Sequence, residues 1–232
     1  MLTSFPVRLA LSPVLLPQAV AVRLRALALP EPPGPRQGVT GQGPVLRLLV
    51  LGDSSAAGVG VGAQDEALAG RLVADLARDF TVHWRLEART GATSAQTLER
   101  LVQLDLGRID VAVTALGVND VTHQVSPARF RDQQRAIAAY LLRHGAQQVW
   151  RTGLPPMERF PLLPRPLRNV LGAQARKLDR VLEADSIVPL HRLPFDPAQL
   201  DPALLARDGF HPGPAIYAEW ARKLAREIRL RA

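Results

Sequence analysis

Two short segments of this sequence carry residue types that could perform nucleophilic catalysis. Ser54 follows directly after an apolar run, so its hydroxyl can stand at the start of a helix, where the helix dipole favours a developing negative charge. Asp208 lies three residues before His211, in a turn that contains Gly209. Such a turn can present the carboxylate to one ring nitrogen and leave the other free to take a proton from a serine. The combination predicts a serine nucleophile that is activated by an acid–histidine pair.

The loop that holds Ser54, residues 52–62, also permits other interpretations. Its glycines do not complete a dinucleotide- or phosphate-binding motif, and Ala56 stands where the nucleophile elbow of α/β-hydrolases requires glycine. Taken alone, Ser54 and its two neighbours are more typical of a turn and a helix cap. His123 is the other histidine that could serve as the base.

Stabilisation of an oxyanion requires N–H donors close to the nucleophile. Gly91 follows a predicted strand, and because it has no Cβ its backbone N–H can approach a substrate oxygen. Asn119 follows the next predicted strand, and its side-chain amide can donate to the same oxygen. Together with the backbone N–H of Ser54 they form the predicted oxyanion hole, although Gly91 and Asn119 are also typical of ordinary turns.

The substrate pocket is predicted from residues 151–171, a proline-rich connection with several large apolar side chains. We expect Met157, Phe160 and Leu163 to form the wall of an apolar acyl pocket beside the serine. Asp53, which precedes the serine, is also assigned to substrate binding. The alternative interpretation of this connection is a stiff loop that covers the sheet without contacting substrate.

These residues need a scaffold that brings their loops together, and the sequence pattern predicts one. Short apolar runs alternate with amphipathic helical segments, and the last of these repeats Ile216, Trp220, Leu224 and Ile228 at every fourth position. The predicted strands cover residues 45–51, 81–88, 110–116, 148–152 and 186–190. This alternation predicts a three-layer α/β/α sandwich around a five-stranded parallel sheet. Ligands of such sheets bind beyond the carboxyl ends of the strands, where Ser54, Gly91 and Asn119 are expected.

Composition excludes several classes of protein. The chain has 232 residues, of which 47% are hydrophobic and 22% charged, which is typical of a globular protein and not of a disordered one. It has no cysteine, so disulfides, thiolate nucleophiles and iron–sulfur clusters are excluded. The net charge is +8, but the arginines are dispersed, so no nucleic-acid partner is expected.

The first 44 residues form a separate region in this interpretation, with the catalytic domain at residues 45–232. Residues 9–22 are uncharged and apolar but contain two prolines, and residues 29–44 are rich in proline and glycine, as in a linker. We expect residues 1–30 to pack on the domain or to contact a membrane surface, which places the protein in the cytoplasm or at the inner membrane. A cleaved signal, with a periplasmic or secreted protein, is the alternative. The sequence leaves the oligomeric state open.

Four blocks of residues resemble, in the same order, those of the SGNH/GDSL hydrolase family: Gly52-Asp53-Ser54, Gly91, Gly117-x-Asn119-Asp120 and Asp208-x-x-His211-Pro212. Ser55 replaces the leucine of the GDSL name, at a position without a chemical role. The resemblance implies the family's flavodoxin-like fold, with Ser54 as nucleophile and His211 as general base. It also implies Asp208 as the orienting acid, and Gly91 and Asn119 as oxyanion donors.

The reaction implied by this resemblance is hydrolysis of carboxylic esters with small or medium acyl groups through an acyl-enzyme. It requires a small ester substrate and neither a metal nor another cofactor. A thioesterase or a carbohydrate O-deacetylase would use the same triad. A protein of a different class, a non-catalytic module that binds a ligand or a membrane surface on this scaffold, also remains open.

Overall fold

The central sheet determines where the candidate catalytic residues meet. The computed structural model describes the backbone of residues 5–232, and all side chains from residue 9 onward except those of 198 and 199. Its six strands are β1 (Gln37–Thr40), β2 (Val45–Gly52), β3 (Thr81–Ala88), β4 (Val111–Ala115), β5 (Gln148–Thr152) and β6 (Leu190–Leu193). They lie in the order β1-β3-β2-β4-β5-β6, and every neighbouring pair except β1 and β3 is parallel. The predicted flavodoxin-like parallel sheet is therefore confirmed in strands β2 to β6.

Strand β1 adds a sixth strand to the five that the sequence predicts, and it lies within residues 29–44, which the sequence pattern indicates as a linker. It pairs antiparallel with β3, with Gln37 opposite Arg85. A proline-free stretch of this length suffices at a sheet edge, where only one side of the strand needs hydrogen-bond partners. The segment before β1 is also fixed, because a Glu31 carboxylate oxygen accepts hydrogen bonds from the backbone N–H and the hydroxyl of Thr90, both at 2.8 Å.

The helices cover both faces of the sheet. They are α1 (Phe5–Arg25), α2 (Ser54–Ala57), α3 (Leu68–Leu76), α4 (Ser94–Leu101), α5 (Val118–Thr122), α6 (Pro127–Arg143), α7 (Leu167–Ala184) and α8 (Pro214–Arg229). Successive side chains of a strand point to opposite faces, so Leu48 and Val50 of β2 pack in the cluster that contains α3 and α8. Leu49 and Leu51 pack in the cluster that contains α6. The three-layer sandwich that the sequence predicts is thereby confirmed.

Two element boundaries differ from the sequence prediction. The sequence favours Ser94 as the cap of the helix after β3, but Thr93 caps α4. The Thr93 hydroxyl accepts from the backbone N–H of Gln96, and the backbone N–H of Thr93 donates to the Gln96 side chain, which makes a capping box. The last strand is β6 (Leu190–Leu193) and not residues 186–190, because the chain after α7 first makes an exposed turn that contains Ile187. Apolar sequence alone did not distinguish this turn from a strand.

Helix α1 occupies much of the segment that precedes the sheet. It contains Pro13 and Pro17, and its Leu15 and Val22 pack against the apolar cluster that includes α7. Within the part of the chain that the structure describes, no helix has the length and apolarity that crossing a membrane requires.

Candidate active site

Ser54 lies where β2 ends and α2 begins. The backbone N–H of Asp53 donates to the carbonyl of Ala115 at the end of β4, which fixes the turn to the neighbouring strand. The Asp53 carboxylate caps α2 by accepting a hydrogen bond from the backbone N–H of Ser55 at 3.0 Å. This arrangement holds the serine hydroxyl at the carboxyl edge of the sheet.

A tight loop before α8 carries Asp208 and His211. Its two sides are joined by hydrogen bonds from Ala206 N–H to the His211 carbonyl at 2.9 Å and from Gly213 N–H to the Leu204 carbonyl at 3.0 Å. Gly209 stands at the tip of the loop with a φ of 62°, a left-handed conformation that suits glycine. The position of the histidine is therefore supported by hydrogen bonds within its own loop, in addition to its contact with Ser54.

Ser54, His211 and Asp208 form a continuous chain of hydrogen bonds. His211 Nε2 lies 2.9 Å from Ser54 Oγ, and His211 Nδ1 lies 2.5 Å from Asp208 Oδ2. Burial on its own would raise the pKa of Asp208, but hydrogen bonds from His211 and from the backbone N–H of Phe210 outweigh it and lower that pKa. An ionised Asp208 can hold the ring so that its unprotonated Nε2 faces the serine hydroxyl.

Gly60 brings the serine loop against the histidine loop. A Cβ on Gly60 would lie 2.3 Å from the carbonyl oxygen of Pro212, which is closer than any side chain tolerates. Tyr217 of α8 supports the same contact from below, because its hydroxyl donates to the carbonyl of Val59 at 2.7 Å. These contacts keep the two halves of the site together.

Asn119 links two of the loops at the edge of the sheet. Its Nδ2 donates to the carbonyl of Ala92 at 3.1 Å and to Asp53 Oδ2 at 3.3 Å. Gly91 is exposed, and a Cβ added to it would meet nothing within 4 Å, so its surroundings are open. Asn119 therefore lies between the loop of Gly91 and the loop of Ser54.

Asp53 is a buried carboxylate, with 2% of its surface exposed. Burial raises its pKa to about 6, against the opposing effect of the hydrogen bonds from Ser55. Its contacts to Ser55 and Asn119 position the neighbouring residues. Because both carboxylate oxygens are engaged within the protein, Asp53 acts here as a supporting residue as well as part of the cavity lining.

Another buried carboxylate, Asp120, supports the site from behind. It accepts hydrogen bonds from the backbone N–H and the hydroxyl of Ser94, and that hydroxyl also accepts from the Gln134 amide at 2.9 Å. Its oxygens are thus used in a structural network. Across the described side chains, no group of three or more histidine or acidic residues is arranged to hold a metal ion.

His123 is placed away from the serine. It lies at the end of α5, is exposed, and its Nδ1 lies 2.8 Å from the carbonyl oxygen of Asn119. Of the two candidate histidines, His211 is the one that contacts Ser54.

A cavity of about 880 Å³, including its open mouth, extends from Ser54 along the carboxyl edge of the sheet. Most of its walls are apolar. Part of the wall comes from α8, through Ile216, Trp220 and Lys223, and another part comes from Leu193 at the end of β6 and from Pro194 and Phe195 after it. Phe160 also lines the cavity and contacts Phe210 in a tilted arrangement, with ring centroids 4.9 Å apart.

Met157 and Leu163 do not line this cavity. They are 1% and 5% exposed and belong to the same buried apolar cluster as Phe160. Of the three residues predicted as the pocket wall, the structure therefore places only Phe160 on the cavity surface. The sequence did not predict that α8 lines the cavity, although the spacing of Ile216 and Trp220 indicated an apolar face of that helix.

The family model for GDSL-like lipases and acylhydrolases matches residues 50–219. A comparison with curated proteins finds no significant match. Among solved structures, TesA is similar with a TM-score of 0.63 and 23% identity over 78% of this chain and 97% of that one.

Other solved structures share the fold. A lipase/acylhydrolase from Enterococcus faecalis has a TM-score of 0.59 and 24% identity, over 80% of this chain and 96% of its own. An acetylxylan esterase from Geobacillus stearothermophilus has a TM-score of 0.58 and 20% identity, over 80% of this chain and 95% of its own. With the family match over most of the catalytic region, the chain belongs to the GDSL-like lipase/acylhydrolase family and is a carboxylic ester hydrolase.

Proposed function

We propose that this protein hydrolyses carboxylic esters with small or medium acyl groups, with Ser54 as nucleophile, His211 as general base and Asp208 as the acid that orients it. The observation that carries the proposal is the contact between Ser54 Oγ and His211 Nε2 at 2.9 Å. The other ring nitrogen of the same histidine, Nδ1, contacts the Asp208 carboxylate. This geometry meets the requirement that nucleophile and base lie within hydrogen-bond reach and that a third group orients the base.

The reaction proceeds in two acyl transfers. Ser54 Oγ attacks the ester carbonyl carbon while its proton passes to His211 Nε2, and the carbonyl oxygen becomes an oxyanion. When this intermediate collapses, the bond to the alcohol oxygen breaks and the alcohol leaves with the proton from His211. Water then gives a proton to His211 and attacks the acyl-enzyme, which releases the carboxylic acid and restores Ser54.

The oxyanion is stabilised by the backbone N–H groups of Ser54 and Gly91 and by the Asn119 amide. Both hydrogens of Asn119 Nδ2 already have acceptors, and the bond to Asp53 is the longer, at 3.3 Å against 3.1 Å to Ala92. A developing oxyanion would therefore take the hydrogen that points to Asp53, while the bond to Ala92 keeps the amide in place. Donors of this kind contribute on the order of 3 kcal/mol each.

The cavity supports an apolar acyl group of limited length. Ile216, Trp220 and Lys223 succeed one another along α8, which at about 1.5 Å per residue gives a wall of about 10 Å. The Lys223 ammonium pairs with the Asp196 carboxylate at 2.7 Å, so the far end of the wall carries an ion pair. An acyl chain that reached this pair would have to displace charged groups, which sets a limit to the chain length that binds well.

The first test is labelling by a fluorophosphonate followed by identification of the modified peptide. We expect the label on Ser54 and its loss in Ser54→Ala, together with a fall in kcat for p-nitrophenyl acetate of about 10³-fold or more. Ser55→Ala is the matched control, since its hydroxyl bonds Asp53 and not the histidine, and it should still be labelled. Normal turnover by Ser54→Ala would refute the assignment.

The acyl preference is tested with p-nitrophenyl esters of increasing chain length. Trp220→Ala opens the α8 wall, so we expect the chain length with the highest kcat/KM to increase relative to the wild type. Val39→Ala is the control, because Val39 is exposed on β1 at the edge of the sheet. An unchanged preference in Trp220→Ala would show that the acyl chain binds elsewhere.

A further inference from the structure

Helix α1 is held on the catalytic domain by one of its faces. Leu15 and Val22 pack against the apolar cluster that includes the start of α7. The Gln18 amide donates to the carbonyl of Arg165 at 2.7 Å and accepts from the backbone N–H of Leu167 at 3.2 Å. The helix is therefore fixed to the loop that leads from Phe160 to α7.

The other face of α1 is also apolar, but no residue that the structure describes covers it. Large apolar side chains recur there at spacings of seven and four residues, which places them on one side of the helix. They are exposed to a high degree: Leu9 by 61%, Leu16 by 66%, Val20 by 57% and Leu24 by 80%. From Leu9 to Leu24 this apolar stripe is about 22 Å long at 1.5 Å per residue.

The surroundings of the apolar stripe are positively charged. Residues 1–30 contain three arginines and no acidic residue. Arg23 and Arg25 are exposed on either side of Leu24, and Arg159 and Arg165 are exposed in the neighbouring loop. Among the described side chains, none of these four arginines forms an ion pair.

The same loop connects the stripe to the candidate active site. Leu162 is 52% exposed, and its side chain lies 3.4 Å from where a Cβ of Gly209 would be, at the tip of the histidine loop. Gln18 binds the backbone of this loop only a few residues further on. A surface that contacted α1 and Leu162 together would therefore lie beside the loop that carries His211.

We propose that the apolar stripe of α1, Leu9 to Leu24, docks on an anionic lipid surface and holds the active site next to it. The apolar side chains would enter the boundary between headgroups and acyl chains, while the unpaired arginines face lipid phosphates. The helix lies on the surface and does not cross it, because no helix in the described part of the chain is long and apolar enough to cross a membrane. The position of the active site next to the lipid favours ester substrates that are dissolved in or attached to the lipid phase. This statement about the substrate rests on the proposed function.

Charge is the reason to prefer lipid over a second copy of this chain. Two copies that covered each other's stripes would bring Arg23, Arg25 and their unpaired neighbours together, and like charges across an interface are unfavourable. An anionic surface instead neutralises these charges. The same reasoning predicts that salt weakens the interaction.

The test is co-sedimentation of the full-length protein with phosphatidylcholine vesicles, with and without phosphatidylglycerol. The double variant Leu16→Glu/Val20→Glu removes the apolar stripe. Ile187→Glu/Val188→Glu is the matched control, because these residues are 73% and 80% exposed in the turn after α7, whereas α1 contacts the loop before α7. We expect binding to the anionic vesicles, a fall of about tenfold or more in partitioning for the double variant, and wild-type binding for the control.

Several outcomes would overturn the proposal. These are the absence of binding to anionic vesicles, or an equal loss in Ile187→Glu/Val188→Glu, which would show a general charge effect. A dimer in solution that the double variant dissociates, without vesicle binding, would assign the stripe to a second copy.

Hydrolysis of soluble p-nitrophenyl acetate separates this proposal from the proposed function. We expect Leu16→Glu/Val20→Glu to retain the wild-type rate on this substrate, which also shows that it folds, and to lose rate on esters held in anionic vesicles. An equal loss of rate on both substrates would overturn the link between α1 and the lipid. A wild-type protein that binds vesicles but hydrolyses neither ester would refute the proposed function and leave the lipid contact supported.

Discussion

Asp53 should make the stability of this protein depend on pH in a way that one substitution can reveal. Its carboxylate is buried beside Ser54, and burial raises its pKa from an ordinary value of 3.8 to about 6. The folded state therefore holds the proton more tightly than the unfolded state. Stability from this group is largest below the unfolded pKa and falls as pH rises through the folded pKa.

The size of the effect follows from the two pKa values. A separation between 3.8 and about 6, at about 1.4 kcal/mol per pH unit, corresponds to about 3 kcal/mol. The loss develops between about pH 4 and pH 6 and is complete above that range. Asp53→Asn removes the ionisable group and keeps an oxygen that can accept from the backbone N–H of Ser55. Any change in the contact to Asn119 adds an offset that does not depend on pH.

The assay is urea unfolding of the wild type and Asp53→Asn at pH 4 and pH 8. Because the unfolded carboxyl is already more than half ionised at pH 4, we expect the free energy of unfolding of Asp53→Asn, relative to the wild type, to increase by about 2 kcal/mol between these pH values. Asp65→Asn serves as the control, because Asp65 is exposed and its substitution changes the charge of the protein by the same amount. Its difference from the wild type should change much less.

A relative free energy that stays constant with pH would show that the Asp53 carboxylate is hydrated or paired more fully than its burial implies. A change of the opposite sign would mean that the folded state stabilises the ionised form. Either result would refute the reasoning from burial. A difference in the free energy of unfolding that is added equally at both pH values would not refute it, since such a difference reports only the changed hydrogen bond to Asn119.

Two further substitutions test the histidine loop. His211→Ala should lower kcat by about 10³-fold or more, while His123→Ala should stay near the wild-type value in the same ester assay; the reverse pattern would show that the base is misassigned. Gly209→Ala should lower the free energy of unfolding by about 1–2 kcal/mol, because alanine is disfavoured at a φ of 62°. Gly209→Asn should cost less, since asparagine tolerates this conformation, and equal costs in urea unfolding would contradict the left-handed turn.

The sequence determined those features that depend on neighbouring residues. The contact between Asp208 and His211 is local, since three residues and a glycine turn bring the carboxylate to the ring. The parallel strands and their helices followed from apolar periodicity, because side-chain direction repeats with a fixed period in each element. The position of Ser54 after β2 followed in the same way, and with it the edge of the sheet where the site lies.

Only the tertiary structure decided which distant surfaces meet. The contact between Ser54 and His211 spans 157 positions in the sequence and depends on how β2 and the loop before α8 pack. The same is true of the cavity wall from α8, which local patterns do not specify because an apolar helix face can meet either the core or a substrate. Met157 and Phe160 have similar sequence surroundings and belong to the same apolar cluster, yet only Phe160 also lines the cavity.

The N-terminal region shows the same division between local and tertiary information. Its composition established that it is apolar, basic and interrupted by prolines. Composition could not decide which face of α1 packs on the domain, nor that the proline-rich segment ends in the edge strand β1. The edge strand β1 depends on hydrogen-bond partners in β3, and the packed face of α1 depends on apolar partners in α7. A face of a helix is buried only when such a partner lies against it.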